Sequence, residues 1–226
     1  LTIKKGSIFA SLFLQGERKL RFEDFCFVFV DPEYLKHLHS FDSEVFFTSD
    51  KDYSKKPHLG ILITCNGIKY VIPLTSAKPK HAAWRDITAT NYRIYEEIDI
   101  RSTLTDKYDV IVDETNFNKM RQKGILKEEF QYYKKRILSI LEIKKMFPVV
   151  DGVYHYAELN TPSTERAEEQ RRNLMIKEYF FCKKIKFQIE AKAKKIYEKQ
   201  AATGVVARYH CNYKLLEKAA DTYKTQ

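Results

Sequence analysis

The chain has 226 residues, of which 44% are hydrophobic and 14% aromatic, so it can build the core of one large domain and is not a disordered polar chain. Forty Lys and Arg against thirty Asp and Glu give a formal net charge of +10, which indicates a polyanionic partner, nucleic acid ahead of an anionic membrane. No apolar run reaches the roughly 20 residues that a membrane helix needs.

The first 24 residues are expected to be an extension that could add a hairpin strand through SIFASLFL at 7–14. The stretch Leu1–Leu14 is similar to a signal peptide, but its apolar run is short and the charged stretch QGERK follows it. The four cysteines are scattered and form no C-x-x-C pair, which favours reduced thiols over a zinc site or a disulfide framework. We therefore expect a cytoplasmic protein without a membrane partner.

A strand and a helix follow the extension. The run FCFVFV at 25–30 is aromatic and β-branched, which is typical of a strand. Asp31 and Pro32 then suit the N-cap and first turn of a helix, and the residues behind them carry an apolar stripe at helical spacing.

The next segment gives the strongest local pattern. The apolar runs His58–Cys65 and Ile68–Leu74 flank Asn66-Gly67, the pair preferred in a type I′ turn. The sequence therefore predicts a tight β-hairpin whose two outer ends lie side by side.

Strands and helices alternate irregularly in the remaining chain, which predicts an α+β fold. The predicted elements are strands at Tyr92–Tyr95, Tyr108–Val112 and Ile137–Val150, an amphipathic helix at Lys119–Lys135, a long helix from Pro162 to about Gln200 that stops near Gly204, and a short helix after Asn212.

Familiar catalytic motifs are missing from the sequence. It has no Walker loop, no G-x-G-x-x-G, no serine-hydrolase elbow and no H-E-x-x-H, and its six histidines are dispersed. We therefore expect neither a metal site nor a cofactor.

The loop after the hairpin gathers side chains that suit an anion: Thr75, Ser76, Lys78, Lys80 and His81. Because the turn brings the hairpin ends together, Lys55 and Lys56 are expected about 5 Å away, at strand spacing. These groups could act on RNA, which supplies its own 2′-hydroxyl nucleophile and needs only alignment and charge stabilisation. Tyr53 or Trp84 could stack a base there. A solvated lysine-rich loop is the alternative.

Lysine pairs on the predicted long helix include Lys183-Lys184. Such pairs form either a solvated face or a nucleic-acid-binding stripe, and the sequence leaves both open.

Four stretches occur in an order that is familiar: FCFVFVDPEYLKHLHSFDSEV at 25–45, KPHLGILITCNGIKYVIPLTSAK at 56–78, LSILEIKKMFP at 138–148 and CNYKLLE at 211–217. Together they resemble the ToxN/AbiQ family, endoribonuclease toxins of bacterial type III toxin–antitoxin and abortive-infection systems. The second stretch is the most specific, although Ala77 stands where proline is usual. The chain would then be one domain at 25–226, with an insertion at about 88–136.

The resemblance implies a compact, strongly twisted antiparallel sheet, related to the MazF/Kid barrel, with helices around it. It implies metal-independent cleavage of single-stranded RNA to 2′,3′-cyclic phosphate and 5′-hydroxyl ends. Lys78, Ser76 and Thr75 map to the catalytic strand end and Lys56 to a phosphate-contacting lysine, while Tyr53 matches an active-region tyrosine with a one-residue shift.

The resemblance also implies partners in a bacterial cytoplasm. These are a repetitive antitoxin RNA folded as a pseudoknot, held with the toxin in a cyclic RNA–protein assembly, and cellular or phage mRNA as substrate. A basic groove that includes the long helix is expected to contact the antitoxin. Two other hypotheses are a non-catalytic RNA-binding module and a DNA-binding protein.

Overall fold

The computed structural model of the chain describes residues 25–47, 58–65 and 67–223. Across these ranges the strands are β1 Cys26–Val30, β2 His58–Cys65, β3 Ile68–Ser76, β4 Asn91–Asp99, β5 Val110–Val112, β6 Tyr133–Glu142, β7 Phe147–Pro148 and β8 Tyr154–Tyr156. The predicted extension at 1–24, with its strand at 7–14, lies outside the described residues.

All strands join one antiparallel sheet, in the order β4-β6-β3-β2-β1-β8, with β5 also paired to β6 and β7 to β3. Among the described strands, the terminal ones, β4 and β8, do not pair with each other, so the sheet is open. The α+β class and the antiparallel sheet with helices around it are confirmed. The expected likeness to a MazF/Kid barrel does not extend to closure of the sheet.

The helices of the described ranges are α1 Pro32–Phe41, α2 Phe117–Gln122, α3 Arg166–Lys184, α4 Lys186–Thr203 and α5 Tyr213–Thr222. The single long helix that the sequence predicts is divided at Ile185, whose φ of −113° and ψ of 19° are not helical. The break lets α3 pack on β4 and β6 while α4 packs on β2. Gly204, at φ +65°, ends α4 as predicted. None of these helices is both long and apolar enough to cross a bilayer.

The first strand and helix are confirmed. The carboxylate of Asp31 accepts a hydrogen bond from the Glu33 amide at 2.9 Å, so Asp31 caps α1, and Pro32 occupies the first helical position. The helix buries Tyr34, Leu35 and Leu38 against the core.

The hairpin is confirmed by its register, since Cys65 pairs with Ile68 and leaves a two-residue turn. Gly67 has φ +80°, a conformation that glycine adopts without strain, while Asn66 is outside the described residues. Gly60, in the partner strand, lies so close to β3 that a Cβ would meet the Ile72 carbonyl oxygen at 2.8 Å. The two strands therefore need glycine here to pair closely.

The main core lies between the sheet and the helices α3 and α4. Phe27, Ile61 and Ile72 form one cross-strand row of fully buried side chains. Tyr179 of α3 packs edge-on against Phe27, with ring centroids 5.6 Å apart. This row fixes α3 over one face of the sheet. Because side chains alternate along a strand, every second residue of β3 beyond Ile72 points to the same face.

The helix predicted at Lys119–Lys135 is wrong for most of its length. Only α2 is helical there, a short 3₁₀ helix spans Lys127–Tyr132, and β6 begins at Tyr133. Lys135 has the appearance of a helix-surface lysine in the sequence, yet it is buried and paired with Asp86, with 2.5 Å between Nζ and Oδ2. The strand predicted at Ile137–Val150 is likewise divided into β6 and β7 by a 3₁₀ turn.

The C-terminal stretch CNYKLLE meets the first helix. The short helix predicted after Asn212 is confirmed. Asn212 caps it through its side chain, and the Asn212 backbone N–H donates to the Asp42 carboxylate at 2.6 Å. The Glu217 carboxylate accepts from the hydroxyls of Tyr70 and Tyr197, each at 2.7 Å. The stretch at 211–217 is thus joined directly to two of the other stretches that carry the resemblance, those at 25–45 and 56–78.

Candidate functional site

The candidate site begins where β3 ends. Thr75 pairs with Ile140 and Ser76 pairs with Ser139 across the β3–β6 ladder. Because side chains alternate along a strand, Ser76 lies on the face covered by α3 and Thr75 on the opposite face. Ser76 is exposed. The Thr75 hydroxyl is buried and has no hydrogen-bond partner among the described residues.

Lys78 follows at the start of a 3₁₀ helix, Pro79–Ala83. Its backbone N–H donates to His81 Nδ1 at 3.0 Å, and its carbonyl oxygen accepts from the His81 amide at 2.8 Å. Lys78 and Lys80 are exposed, and neither forms an ion pair with a carboxylate of the described residues. The loop therefore fixes the Lys78 backbone and presents its ammonium to solvent.

His81 lies inside this loop. It is only 2% exposed, and its ring packs against Trp84 with centroids 4.5 Å apart. Burial, with the nearby Lys80 and Lys78 charges, lowers the pKa of His81. Since Nδ1 accepts a hydrogen bond, the neutral ring carries its proton on Nε2. The structure buries the His81 ring and uses it to hold Lys78, and the expected contact of His81 with RNA stays a prediction.

Glu178 and Ser139 lie behind Ser76 and were missed by reasoning from the sequence. Both are buried, Glu178 on α3 and Ser139 on β6 beside Ser76. Burial raises the pKa of Glu178 to about 7, and the neighbouring Ser139 hydroxyl opposes this more weakly, lying beside the carboxyl without the geometry of a formed hydrogen bond. Only the folded chain brings this glutamate to the sheet, so no local pattern could reveal it.

The other predicted residues are placed as follows. Lys183 and Lys184 are exposed at the end of α3, with Lys183 Nζ 5.6 Å from the centre of the Tyr179 ring. Trp84 is half-buried beside His81. Three predicted members of the site lie outside the described residues, and their approach to it stays a prediction: Tyr53, Lys55 and Lys56. Within the described ranges, no cluster of three or more His, Cys, Asp or Glu side chains could hold a metal ion.

Comparison with known families identifies the chain. A family model described as "Toxin ToxN, type III toxin-antitoxin system" matches residues 26–221. The chain belongs to the ToxN toxin family. The resemblance inferred from the four stretches is therefore confirmed.

Family relatives agree with this assignment. The "Endoribonuclease ToxN" of Bacillus thuringiensis subsp. kurstaki is 25% identical over 202 residues, covering 86% of this chain and 82% of the relative. A solved structure from a bacterial antiviral system that a processed non-coding RNA regulates has a TM-score of 0.61 at 20% identity, covering 88% of this chain and 99% of that one.

The same fold occurs in AbiQ, a lactococcal anti-phage endoribonuclease of the type III systems. Its structure matches with a TM-score of 0.59 at 21% identity, covering 88% of this chain and 97% of AbiQ. A further structure, of a type III toxin selectively inhibited by a non-coding RNA pseudoknot, also has a TM-score of 0.59, at 22% identity, with 90% and 100% of the two chains covered. The fold of this chain is thus that of the ToxN and AbiQ toxins.

Proposed function

We propose that this ToxN family member is a metal-independent endoribonuclease, the toxin of a type III toxin–antitoxin system that acts in phage defence. The observation that carries the proposal is the β3 end, where the exposed Ser76 and Lys78 side chains follow the buried Thr75 hydroxyl, which has no hydrogen-bond partner among the described residues. The relatives named as endoribonucleases supply the reaction class.

The reaction would be an internal transesterification of single-stranded RNA. The substrate's 2′-hydroxyl oxygen forms a bond to the adjacent phosphorus and loses its proton, while the bond from phosphorus to the 5′-oxygen breaks and that oxygen gains a proton. No water is consumed, and the products are a 2′,3′-cyclic phosphate and a 5′-hydroxyl. The RNA supplies the nucleophile, so the protein's task is alignment and charge stabilisation.

Each residue of the strand end suits one part of this task. The Lys78 ammonium, held at the surface by a fixed backbone, would neutralise charge on the non-bridging phosphate oxygens. The exposed Ser76 hydroxyl would donate to the same phosphate, while Thr75, buried on the opposite face of β3, would support the strand end from beneath. Lys56 would add a second cation, and Lys80, Lys55, Tyr53 and Trp84 would contact neighbouring phosphates and bases.

The partners would be two kinds of RNA in the bacterial cytoplasm. An antitoxin RNA of pseudoknot repeats would be processed by the toxin, remain bound in a cyclic assembly and inhibit it. Cellular or phage mRNA would be the substrate of the released toxin. The exposed Lys183 and Lys184, with the formal charge of +10, favour a polyanion on the α3 side of the molecule.

Purified protein with single-stranded RNA in EDTA tests the proposal. We expect cleavage products with cyclic-phosphate ends, and no cleavage of matched DNA or 2′-O-methyl RNA, which lack a free 2′-hydroxyl. Lys78→Ala should abolish cleavage with an unchanged melting temperature, because the side chain is exposed. Lys36→Ala removes a similarly exposed lysine from α1 and should leave the rate unchanged.

Three results would contradict the proposal. Full activity of Lys78→Ala would mean that the active site does not lie at the end of β3. RNA binding without products from the wild-type protein would instead support a non-catalytic RNA-binding module, and preference for matched DNA would support a DNA-binding protein.

A further inference from the structure

Arg93 of β4 is a buried cation directly beneath the candidate site. Its side chain is fully buried, although arginine is among the residues least often buried. Across the sheet it pairs with Ile140, which pairs in turn with Thr75, so Arg93 and Thr75 share one face. That face is the one on which the loop carrying Lys78 folds back.

The guanidinium of Arg93 reaches the backbone of this loop. Its Nη1 donates to the carbonyl oxygen of Ala82 at 3.0 Å and to that of His81 at 3.3 Å. These carbonyls belong to the 3₁₀ helix in which His81 accepts from the Lys78 amide. Two successive hydrogen-bonded contacts therefore link Arg93 to Lys78.

Two carboxylates hold the guanidinium in place. Arg93 Nε donates to Asp86 Oδ1 at 2.8 Å, and Nη2 pairs with both Asp86 and Glu114. Lys135 shares both acids, at 2.5 Å from Asp86 and 3.8 Å from Glu114. The carboxylates thus occupy Nε and Nη2 of Arg93 and leave Nη1 to donate to the loop. This arrangement fixes the orientation of the guanidinium.

We propose that Arg93, oriented by Asp86 and Glu114, is a positioning residue that sets the Lys78 loop for phosphate contact. The inference rests on the proposed function of Lys78 and assigns a purpose to the segment 88–136, which contributes both Arg93 and Glu114. Lysine cannot replace arginine here, because a single ammonium lacks the fork that serves two carboxylates and two carbonyls together.

The test compares two matched substitutions. Arg93→Lys keeps the charge and removes the fork. Arg172→Lys makes the same change at an α3 guanidinium that also joins a carboxylate, Glu169, to a backbone carbonyl, at Leu159, outside the loop. Residue-resolved amide hydrogen exchange reports the Lys78 N–H, and steady-state kinetics on cleavable RNA are measured beside the Kd for 2′-O-methyl RNA.

In Arg93→Lys we expect the amide hydrogen of Lys78 to exchange about tenfold faster or more. We expect kcat to fall roughly 10- to 100-fold, because a small misplacement of a positioned group lowers the rate strongly. The Kd for 2′-O-methyl RNA should stay within about twofold, because the exposed cations remain. Arg172→Lys should change none of these quantities. A merely structural role for Arg93 would lower the melting temperature without lowering kcat per folded molecule.

Two further outcomes keep the inference decidable. If Arg93→Lys does not fold, Glu114→Gln removes one orienting carboxylate whose own side chain is half-exposed, and it should show the same pattern. If the wild-type protein cleaves no RNA, the proposed function fails, yet the Lys78 amide exchange still decides whether Arg93 holds the loop. Wild-type exchange and wild-type kcat in both variants would overturn the inference.

Discussion

Glutamine in place of Glu178 is expected to stabilise the protein at alkaline pH and to change little in acid. Glu178 is 4% exposed between α3 and β6, and burial raises the pKa of its carboxyl from 4.5 to about 7. Glutamine has nearly the same shape and cannot ionise, so the substitution removes the cost of a buried charge while keeping the packing.

The magnitude follows from proton linkage. Below pH 4.5 the carboxyl is neutral in both the folded and the unfolded chain, and its contribution to stability is fully present. Between pH 4.5 and 7 the unfolded chain ionises while the folded one retains the proton, so stability is lost as pH rises. At about 1.4 kcal/mol for each tenfold change in proton affinity, the loss levels off above pH 7 at roughly 3 kcal/mol.

Urea denaturation of both proteins at pH 4, 6 and 8.5 measures this difference. The free energy of unfolding of Glu178→Gln should exceed that of the wild type by up to roughly 3 kcal/mol at the highest pH, and the gap should close in acid. Glu169→Gln is the control with the opposite sign, because Arg172 lowers the pKa of Glu169 to about 2, so this variant should be the less stable one at neutral pH. A gap for Glu178→Gln that is constant across pH would refute the reasoning.

Three other substitutions test the fold and the site. Asn212→Ala removes the cap that accepts from the Leu215 amide at 3.1 Å and should lower the free energy of unfolding by about 1 kcal/mol in urea, whereas Asn212→Asp retains a cap. Gly60→Ala forces a Cβ against the Ile72 carbonyl and should cost about 1–3 kcal/mol; unchanged stability would mean that the β2–β3 spacing adapts freely. Ser76→Ala should reduce kcat about 100-fold, as expected for loss of a donor to transition-state charge, with no change in melting temperature; equal kcat would place the phosphate elsewhere.

Local patterns were enough where one segment determines its own structure. The Asp31 cap, the Asn66-Gly67 turn and the Asn212 cap each act within a few residues, and the elements beside them have the predicted type. The strand end with Thr75, Ser76 and Lys78 could be located for the same reason, since it depends on the hairpin alone.

The prediction was wrong where charged side chains form ion pairs inside the fold. Lys135 and Arg93 have the charged side chains typical of surface residues, but in the fold both are buried and paired with carboxylates of other segments. Lys135 belongs to β6, and its charge contributes to the helix-like pattern of this part of the sequence. The burial of His81 has no local signal either, because one of the contacts that enclose it is a hydrogen bond from Arg93 of β4 to the His81 carbonyl oxygen. The division at Ile185 likewise depends on which strands α3 and α4 pack against.

The contact between Asp42 and Asn212 has a consequence for when the core can be completed during synthesis. The two residues are 170 positions apart, so a ribosome that adds 5–20 residues per second needs roughly 10–30 s to pass from one to the other. Throughout that interval α1 lacks α5, and the Tyr70 hydroxyl lacks its Glu217 acceptor. A nascent chain can thus carry the complete β2–β3 hairpin before α5 is available to pack against α1 and β7.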